Sequence, residues 1–338
     1  MEEISKDRVR LSAAEAQALS EDVLRRIGYD AEEAKIIADH VVDAALCGYE
    51  YSGLPKILNV VEHRQLRQPR RRMRALRETS VSTLFDGGNN NGMVAMYRAT
   101  QVAIAKAREH GMAVVGVNNS WVSGRSAHYV EMVARAGFVG FHSVASRIHV
   151  GAPGSSQPAT GTNPIAFAFP TLDEPLVIDL GTSAFMGTDL IFQERRGAVL
   201  PEGVALDAQG LPTRDPTKVH TLLPFGGYKG FALSLAMQAF GVLAGSGLGA
   251  DRTYGYLIMA IDPEVMLPLD QFRRDTTDML ARVKATARQP GVDEIRLPGE
   301  RSARERERHR KEGIEIDRRI YDALLAVPPG KLSDITGE

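Results

Sequence analysis

Gly161-Thr162-Asn163-Pro164, then Val177-Ile178-Asp179-Leu180-Gly181-Thr182-Ser183, then Gly226-Gly227-Tyr228-Lys229-Gly230 opening an apolar helix, are the stretches on which the reading of this chain turns. Each is a turn of small residues with polar tips, and the last carries a lysine. Glycine lets the backbone approach an anion closely, hydroxyls and free N–H groups donate to it, and a helix start adds partial positive charge. The pattern predicts a site for a phosphate-rich cofactor. Outward from these turns, short β-type runs (Val81–Phe85, Ala113–Val117, Phe138–Val144, Ile165–Phe169, Leu176–Ile178) alternate with helical patterns near 94–110 and 125–136. That alternation predicts an α/β core.

Upstream, Ser12 with Glu15 and Asp30 with Glu33 have capping-box spacing, each ahead of apolar residues at helical intervals. Residues 1–78 are therefore expected to form a helical cap, with C-terminal helices over 302–330 packing back on it. Residues 79–301 are expected to form the α/β dinucleotide-binding and catalytic core. The basic stretch Arg64 to Arg77, with Arg70, Arg71 and Arg72, lacks interleaved aromatics and reads as a solvated face rather than an anion site. After Gly226 the pattern gives a long helix to about Ala244, a strand at Tyr256–Ile261, an amphipathic segment near 269–287 and a charged helix from Ser302.

The chain has 338 residues, 43% hydrophobic and 25% charged, enough to bury a large core. Lysine plus arginine number 41 against 42 acids, so charge gives no reason to expect nucleic acid or an anionic membrane as partner. The single cysteine, Cys47, excludes an intramolecular disulfide and a cysteine-based zinc cluster, which fits a reducing compartment. Met1 to Lys6 lack the basic-then-apolar order of a signal peptide, and no apolar run reaches about 18 residues. A cytoplasmic location is the expectation.

Gly245-Ser246-Gly247-Leu248-Gly249-Ala250 matches the dinucleotide fingerprint in letters but follows a helix and precedes a strand, the reverse of the context the fingerprint needs. It reads as a turn. The eight histidines (40, 63, 110, 128, 142, 149, 220 and 309) do not pair at helical ligand spacing, and no metal site is expected.

Taken together with Asp86-Gly87-Gly88-Asn89-Asn90-Asn91-Gly92, Pro212-Thr213-Arg214-Asp215-Pro216 and Leu297-Pro298-Gly299-Glu300, the three turns resemble the malate/L-lactate dehydrogenase family, unrelated in fold to the Rossmann lactate dehydrogenases. The resemblance spans about residues 11 to 330. It implies a helical N-terminal cap on a non-Rossmann nucleotide-binding core, a homodimer, and NAD or NADP as cofactor. The residues implied for the cofactor are Asp179, Gly181, Thr182 and Ser183, the pair Tyr228 and Lys229, and the turn Pro298, Gly299 and Glu300. Thr162 and Ser120 are expected to line the cleft with Asp179. Lysine would give a point charge to a phosphate, and the hydroxyls of Thr182 and Ser183 would donate to it.

Departures from the family pattern carry more information. Where relatives have Ser-His-Gly, this chain has Tyr51-Ser52-Gly53, so Ser52 stands at a histidine position. A second family histidine aligns with Val122 in Trp121-Val122-Ser123-Gly124, and the arginine that holds the substrate carboxylate aligns with Lys56. Hydride transfer to a carbonyl leaves an oxyanion that needs a proton. Tyr51 and His128 are the replacement donors the sequence offers, packing or a surface role being the other reading of each. Trp121 either walls the pocket or packs in the core.

The resulting expectation is an oxidoreductase moving hydride between a nicotinamide and a small carboxylate-bearing 2-oxo or 2-hydroxy acid, with Lys56 as carboxylate anchor. A cyclic 2-imino acid reductase is the alternative, since an iminium needs less help from an acid. A silent cofactor-binding paralogue is the third reading. Arg195, Arg196 and Arg252 are candidates for a 2′-phosphate.

Overall fold

The helix starts form as capping chemistry dictates. Ser12 Oγ accepts from the Glu15 N–H, and the Glu15 carboxylate accepts from the Ser12 N–H, closing a capping box ahead of α1 (Ala13–Arg26). Asp30 accepts from the Glu33 N–H to open α2 (Ala31–Leu46), and α3 (Pro55–Glu62) begins with a proline, whose missing N–H has no helical acceptor there. The computed structural model describes residues 7–246, 254–330 and 332. Met1 to Lys6, residues 247–250 of the glycine-rich segment and Arg252 lie outside the described residues.

In chain order, β1 (Arg8–Leu11) precedes α1, and β2 (Arg74–Glu78) and β3 (Ser82–Asn91) follow α3. Next come α4 (Gly92–His110), β4 (Met112–Trp121), α5 (Ser126–Arg135), β5 (Val139–Ala145), β6 (Ile148–Gly151), β7 (Pro158–Gly161), β8 (Ile165–Phe169) and β9 (Leu176–Leu180). The remainder is α6 (Gly187–Arg196), β10 (Ala205–Leu206), β11 (Thr221–Leu222), α7 (Tyr228–Leu243), β12 (Gly255–Ile261), α8 (Leu269–Lys284), α9 (Glu300–Glu312), β13 (Ile314–Asp317) and α10 (Arg318–Leu325).

Among the described residues the main sheet has seven strands in the order β2-β3-β4-β12-β5-β8-β9. Only β3 and β4 in it run parallel, joined by α4; the other pairs are antiparallel. This mixed α/β sheet is not the doubly wound parallel sheet of a Rossmann domain. A second sheet, β10-β11-β6-β7, lies beside it. Apolar faces of α4 and α5, with Met96, Tyr129 and Val133, close over Val115, Val117 and Ile258 of the main sheet.

Two expectations about the cap are corrected. Residues 74–78 are not cap but an edge strand, β2, hydrogen-bonded to β3. The cap is also not purely helical, because β1 pairs with β13 near the other end of the chain. Ile314, Ile316, Ile320 and Leu324 of β13 and α10 join Val23, Leu24 and Ile57 in its core.

The basic stretch is the solvated face expected at every arginine but Arg70. Arg70 is buried and its guanidinium lies 2.8 Å from the Glu33 carboxylate of α2, while Arg71 and Arg74 approach Asp86 at 3.4 Å. A carboxylate 37 residues upstream is invisible to a local reading of charge. Removing one member of such a buried pair strands the other charge, so Glu33→Ala should lower unfolding free energy by about 3 kcal/mol in guanidinium titration. Glu33→Met with Arg70→Met should recover most of it, and an undiminished Glu33→Ala would show that the pair is not a constraint.

Candidate active site

The cap and core enclose a cleft of about 390 Å³. Tyr51, Ser52 and Lys56 line it from the cap; Thr162, Asp179 and Gly181 line it from the core. Lys56 is on the first turn of α3 and only 3% exposed, and among the described residues no carboxylate lies within ion-pair distance of it. Burial alone pulls its ammonium down to about 8. Burial pushes the Tyr51 hydroxyl up to about 12, helped by the charges of Asp179 and Asp189.

Asp179 opens onto the cleft from β9, and the protein crowding it raises its carboxyl, although Arg125 and the Ala127 N–H pull the other way. That N–H, at the start of α5, donates to Asp179 Oδ2 at 2.7 Å.

The three turns first read from the sequence meet in one hydrogen-bonded junction. Thr182 N–H donates to Thr162 O at 2.9 Å, and Phe225 N–H donates to Thr182 O at 3.2 Å. Asn163 Nδ2 donates to Ser234 O at 3.0 Å on α7. Lys229 is thereby tied to the strand end that forms the cleft floor. The hydroxyls expected to meet a phosphate are otherwise engaged: Thr182 Oγ1 donates to Thr162 O and Ser183 Oγ to Phe185 O.

The start of α7 is what fits an anion. Gly226 and Gly227 have φ of 53° and 62°, no side chain caps the helix, and a Cβ on Gly227 would meet nothing within 4 Å. Exposed Tyr228 and Lys229 stand there outside the cleft itself. The Pro298-Gly299-Glu300 turn also lies outside the cleft, backed by β9: a Cβ on Gly299 would come within 3.0 Å of Val177 O. These donors and the lysine suit the pyrophosphate of a dinucleotide whose reactive ring would lie in the cleft.

Some predicted residues are placed elsewhere. Ser120 is buried in β4 beside β3, its hydroxyl donating to Asn90 O at 2.7 Å, and is not a cleft residue. His128 faces a second cavity with Asp43, Glu131 and Arg306, its Nδ1 3.7 Å from Asp43. Its helix turns it away from the cleft. Trp121 is a core residue, but its ring stacks on His63, with centroids 4.5 Å apart, and His63 is the actual wall.

Among the cleft residues that sequence reasoning passed over, four carry basic side chains. His63 ends α3, Arg147 and His149 come from the turn and strand after β5, and Arg125 comes from the turn before α5. Burial holds the His63 imidazole at about 4, with Arg64 and Arg147 adding to it, and lowers His149 in the same way. Arg147 is exposed to the cleft and has no carboxylate partner among the described residues. The signal available was the pair Arg147-Ile148-His149 beside a strand, which has no chemistry until the fold closes around it. Val122, at a histidine position of the resembling family, has φ 56°, a left-handed conformation that strains a β-branched residue.

The comparisons with known proteins bear on the fold and the family. Residues 11–325 match the family model described as malate/L-lactate dehydrogenase. An L-sulfolactate dehydrogenase of Methanothermobacter thermautotrophicus is 32% identical over 335 residues, covering 94% of this chain and 96% of that protein. Malate dehydrogenase of Pyrococcus horikoshii superposes with a TM-score of 0.86 at 28% identity, over 97% of each chain. A Δ1-piperideine-2-carboxylate reductase of Pseudomonas syringae superposes at 0.80 with 28% identity, over 94% of this chain and 99% of that one.

The fold is that of a family of dehydrogenases. The chain belongs to the malate/L-lactate dehydrogenase family and is an oxidoreductase that exchanges hydride between a nicotinamide cofactor and a small carboxylate-bearing substrate.

The junction itself can be tested. A Cβ on Gly230 would lie 2.3 Å from Phe225 O and 2.7 Å from Thr182 O, both backbone atoms that cannot swing aside. Gly230→Ala should cost about 1–3 kcal/mol of stability and weaken cofactor binding. Unchanged melting and binding would show that the α7 start need not touch Thr182.

Proposed function

We propose that this enzyme interconverts a small 2-hydroxy acid and its 2-oxo acid with NAD or NADP, and that the cleft between cap and core is its active site. The carrying observation is the pair of cations on the cleft walls, Lys56 and Arg147, that have no carboxylate partner among the described residues. An anionic substrate supplies the missing partner. Thr162, Asp179 and Gly181 form the floor on which the nicotinamide would rest, and Lys229, Tyr228 and the Pro298–Glu300 turn would hold its phosphates. The cofactor supplies or accepts hydride when bound. The chain's own groups bind the carboxylate, orient the carbonyl and handle the proton.

A cyclic 2-imino acid is the second reading, favoured by Ser52 and Val122 at the two histidine positions and by the likeness to the piperideine-carboxylate reductase. We further propose a homodimer. Helix α7 is apolar nearly all round, yet Leu235, Val242 and Leu243 are 49%, 47% and 66% exposed, a face that a second copy would cover. The single, buried Cys47 suits a reducing, cytoplasmic setting. Arg195 and Arg196 pair with Glu62 and Asp317, so neither is left free for a 2′-phosphate.

Fluorescence titration with NADH and NADPH, followed by oxidation assays against 2-oxo acids and cyclic imines, tests the reading. At least one reduced cofactor should bind and be oxidised, and Lys229→Ala should weaken binding by roughly tenfold. Binding of neither cofactor would overturn it, turnover of imines alone would select the second reading, and bound cofactor without any turnover would leave only a binding protein.

A further inference from the structure

We propose that His63 is a specificity-determining residue of the cleft, its Nε2–H donating to an oxygen on the tail of the substrate, beyond the carboxylate held at Lys56. The inference rests on the oxidoreductase reading above and concerns which small acids that site accepts.

His63 is the first residue past α3, where the backbone turns extended. Its Nδ1 accepts from the Gln65 N–H at 3.3 Å and so caps the 3-10 turn Arg64–Arg67. A ring nitrogen that accepts carries no hydrogen, so the imidazole is neutral and its one N–H stands at Nε2. Burial in the cleft wall acts in the same direction and holds the group at about 4. The residue lines the cleft, and Nε2 has no hydrogen-bond partner among the described residues.

The surroundings hold that N–H in one orientation. One face of the ring lies on the Trp121 indole, with centroids 4.5 Å apart and planes within 4° of parallel. Trp121 is buried and is itself tied, its Nε1 donating to Asn89 O at 3.1 Å. Asn89 Nδ2 in turn donates at 3.1 Å to the carbonyl of Gln65, the residue whose N–H meets His63. Imidazole, indole, asparagine and turn thus form a closed circuit in which each member holds the next. A donor fixed in this way has little freedom left to lose when a ligand arrives.

Its position on the cap wall says which part of the ligand it meets. Lys56, Asn59 and His63 follow one another at intervals of three and four residues, the spacing of one helix face, and all three line the cleft. Seven residues of helix set the Lys56 and His63 Cα atoms roughly 10 Å apart. A carboxylate held at Lys56 therefore leaves His63 to the far part of the molecule. The floor for the nicotinamide, at Thr162, Asp179 and Gly181, is built by the core and not by α3. An N–H left unmet in a filled cleft is costly, so an acid whose tail carries an oxygen acceptor is favoured over one whose tail is purely alkyl.

Two 2-oxo acids of matching shape test the assignment: 2,5-dioxohexanoate, with a ketone oxygen on its tail, and 5-methyl-2-oxohexanoate, with a methyl group in that oxygen's place. Wild type should favour the first by roughly tenfold in kcat/KM. His63→Phe keeps a ring to lie on Trp121 but has no N–H, and it should bring the two acids within about twofold, chiefly by raising KM for the first. Reduced-nicotinamide affinity should be unchanged in the variant, which shows that it is folded and separates a substrate contact from a cofactor contact. His63→Leu serves the same comparison if His63→Phe fails that check. Equal kcat/KM for the two acids in wild type, a preference that survives loss of the imidazole, or reduction of other 2-oxo acids but not of 2,5-dioxohexanoate would overturn the assignment while leaving the oxidoreductase reading intact. A variant that weakens cofactor binding and keeps the preference would overturn it too, by giving His63 to the cofactor. Absence of wild-type turnover on every acid and imine would instead remove the reading on which it rests.

Discussion

The buried guanidinium of Arg125 is the tie on which the cleft depends. It lies 2.8 Å from Asp43 of α2 and 3.4 Å from Cys47 Sγ, its backbone N–H donates to His40 Nε2 at 2.7 Å, and it covers the Tyr49 ring. Arg306 of α9 meets the same Asp43 at 3.1 Å and Glu131 of α5 at 2.8 Å. Cap, core and C-terminal helix thus share one charge cluster. Burial would raise the Asp43 carboxyl, but His128, Arg125 and Arg306 together hold it well below the usual range. Such a network needs every member in place, because any charge left unpartnered in the interior is costly. It sets the cap at one distance from the core and so sets the width of the space between them.

Burial then does much of the chemistry in that space. It is the first cause of the shifts at Lys56, Tyr51, His63, His149 and Asp179, and it moves cationic groups down and anionic ones up. Histidines buried beside an arginine become neutral walls, while a lysine buried without a partner is brought toward neutral pH. Val122, strained at φ 56° on the same wall, marks a backbone held in place by its surroundings rather than by its own preference.

The elements were largely legible because their signals are local. Ile165–Phe169 coincides with β8, and the helix read from Gly226 to about Ala244 is α7 at Tyr228–Leu243. The β12 strand was visible as an element, but nothing in its letters places it between β4 and β5 at the centre of the sheet. Arg70 shows the same limit for charge: its neighbours in sequence are solvated arginines, and its partner lies on another helix.

By itself the sequence determined the periodicities, the caps, the glycine turns and the family, since each depends on residues close together along the chain or on their order. It also named Lys56, Tyr51, Ser52, Thr162, Asp179 and Gly181, all of which reach the cleft. The tertiary structure alone decided that His128 turns to a different cavity, that Ser120 is buried in β4 beside β3, and that Arg125, Arg147, His63 and His149 join the walls. The physical reason is that desolvation and charge pairing act through space. Whether a histidine is charged or neutral, and whether a lysine lies on the surface or is buried without a partner, depends on the groups that folding brings against it.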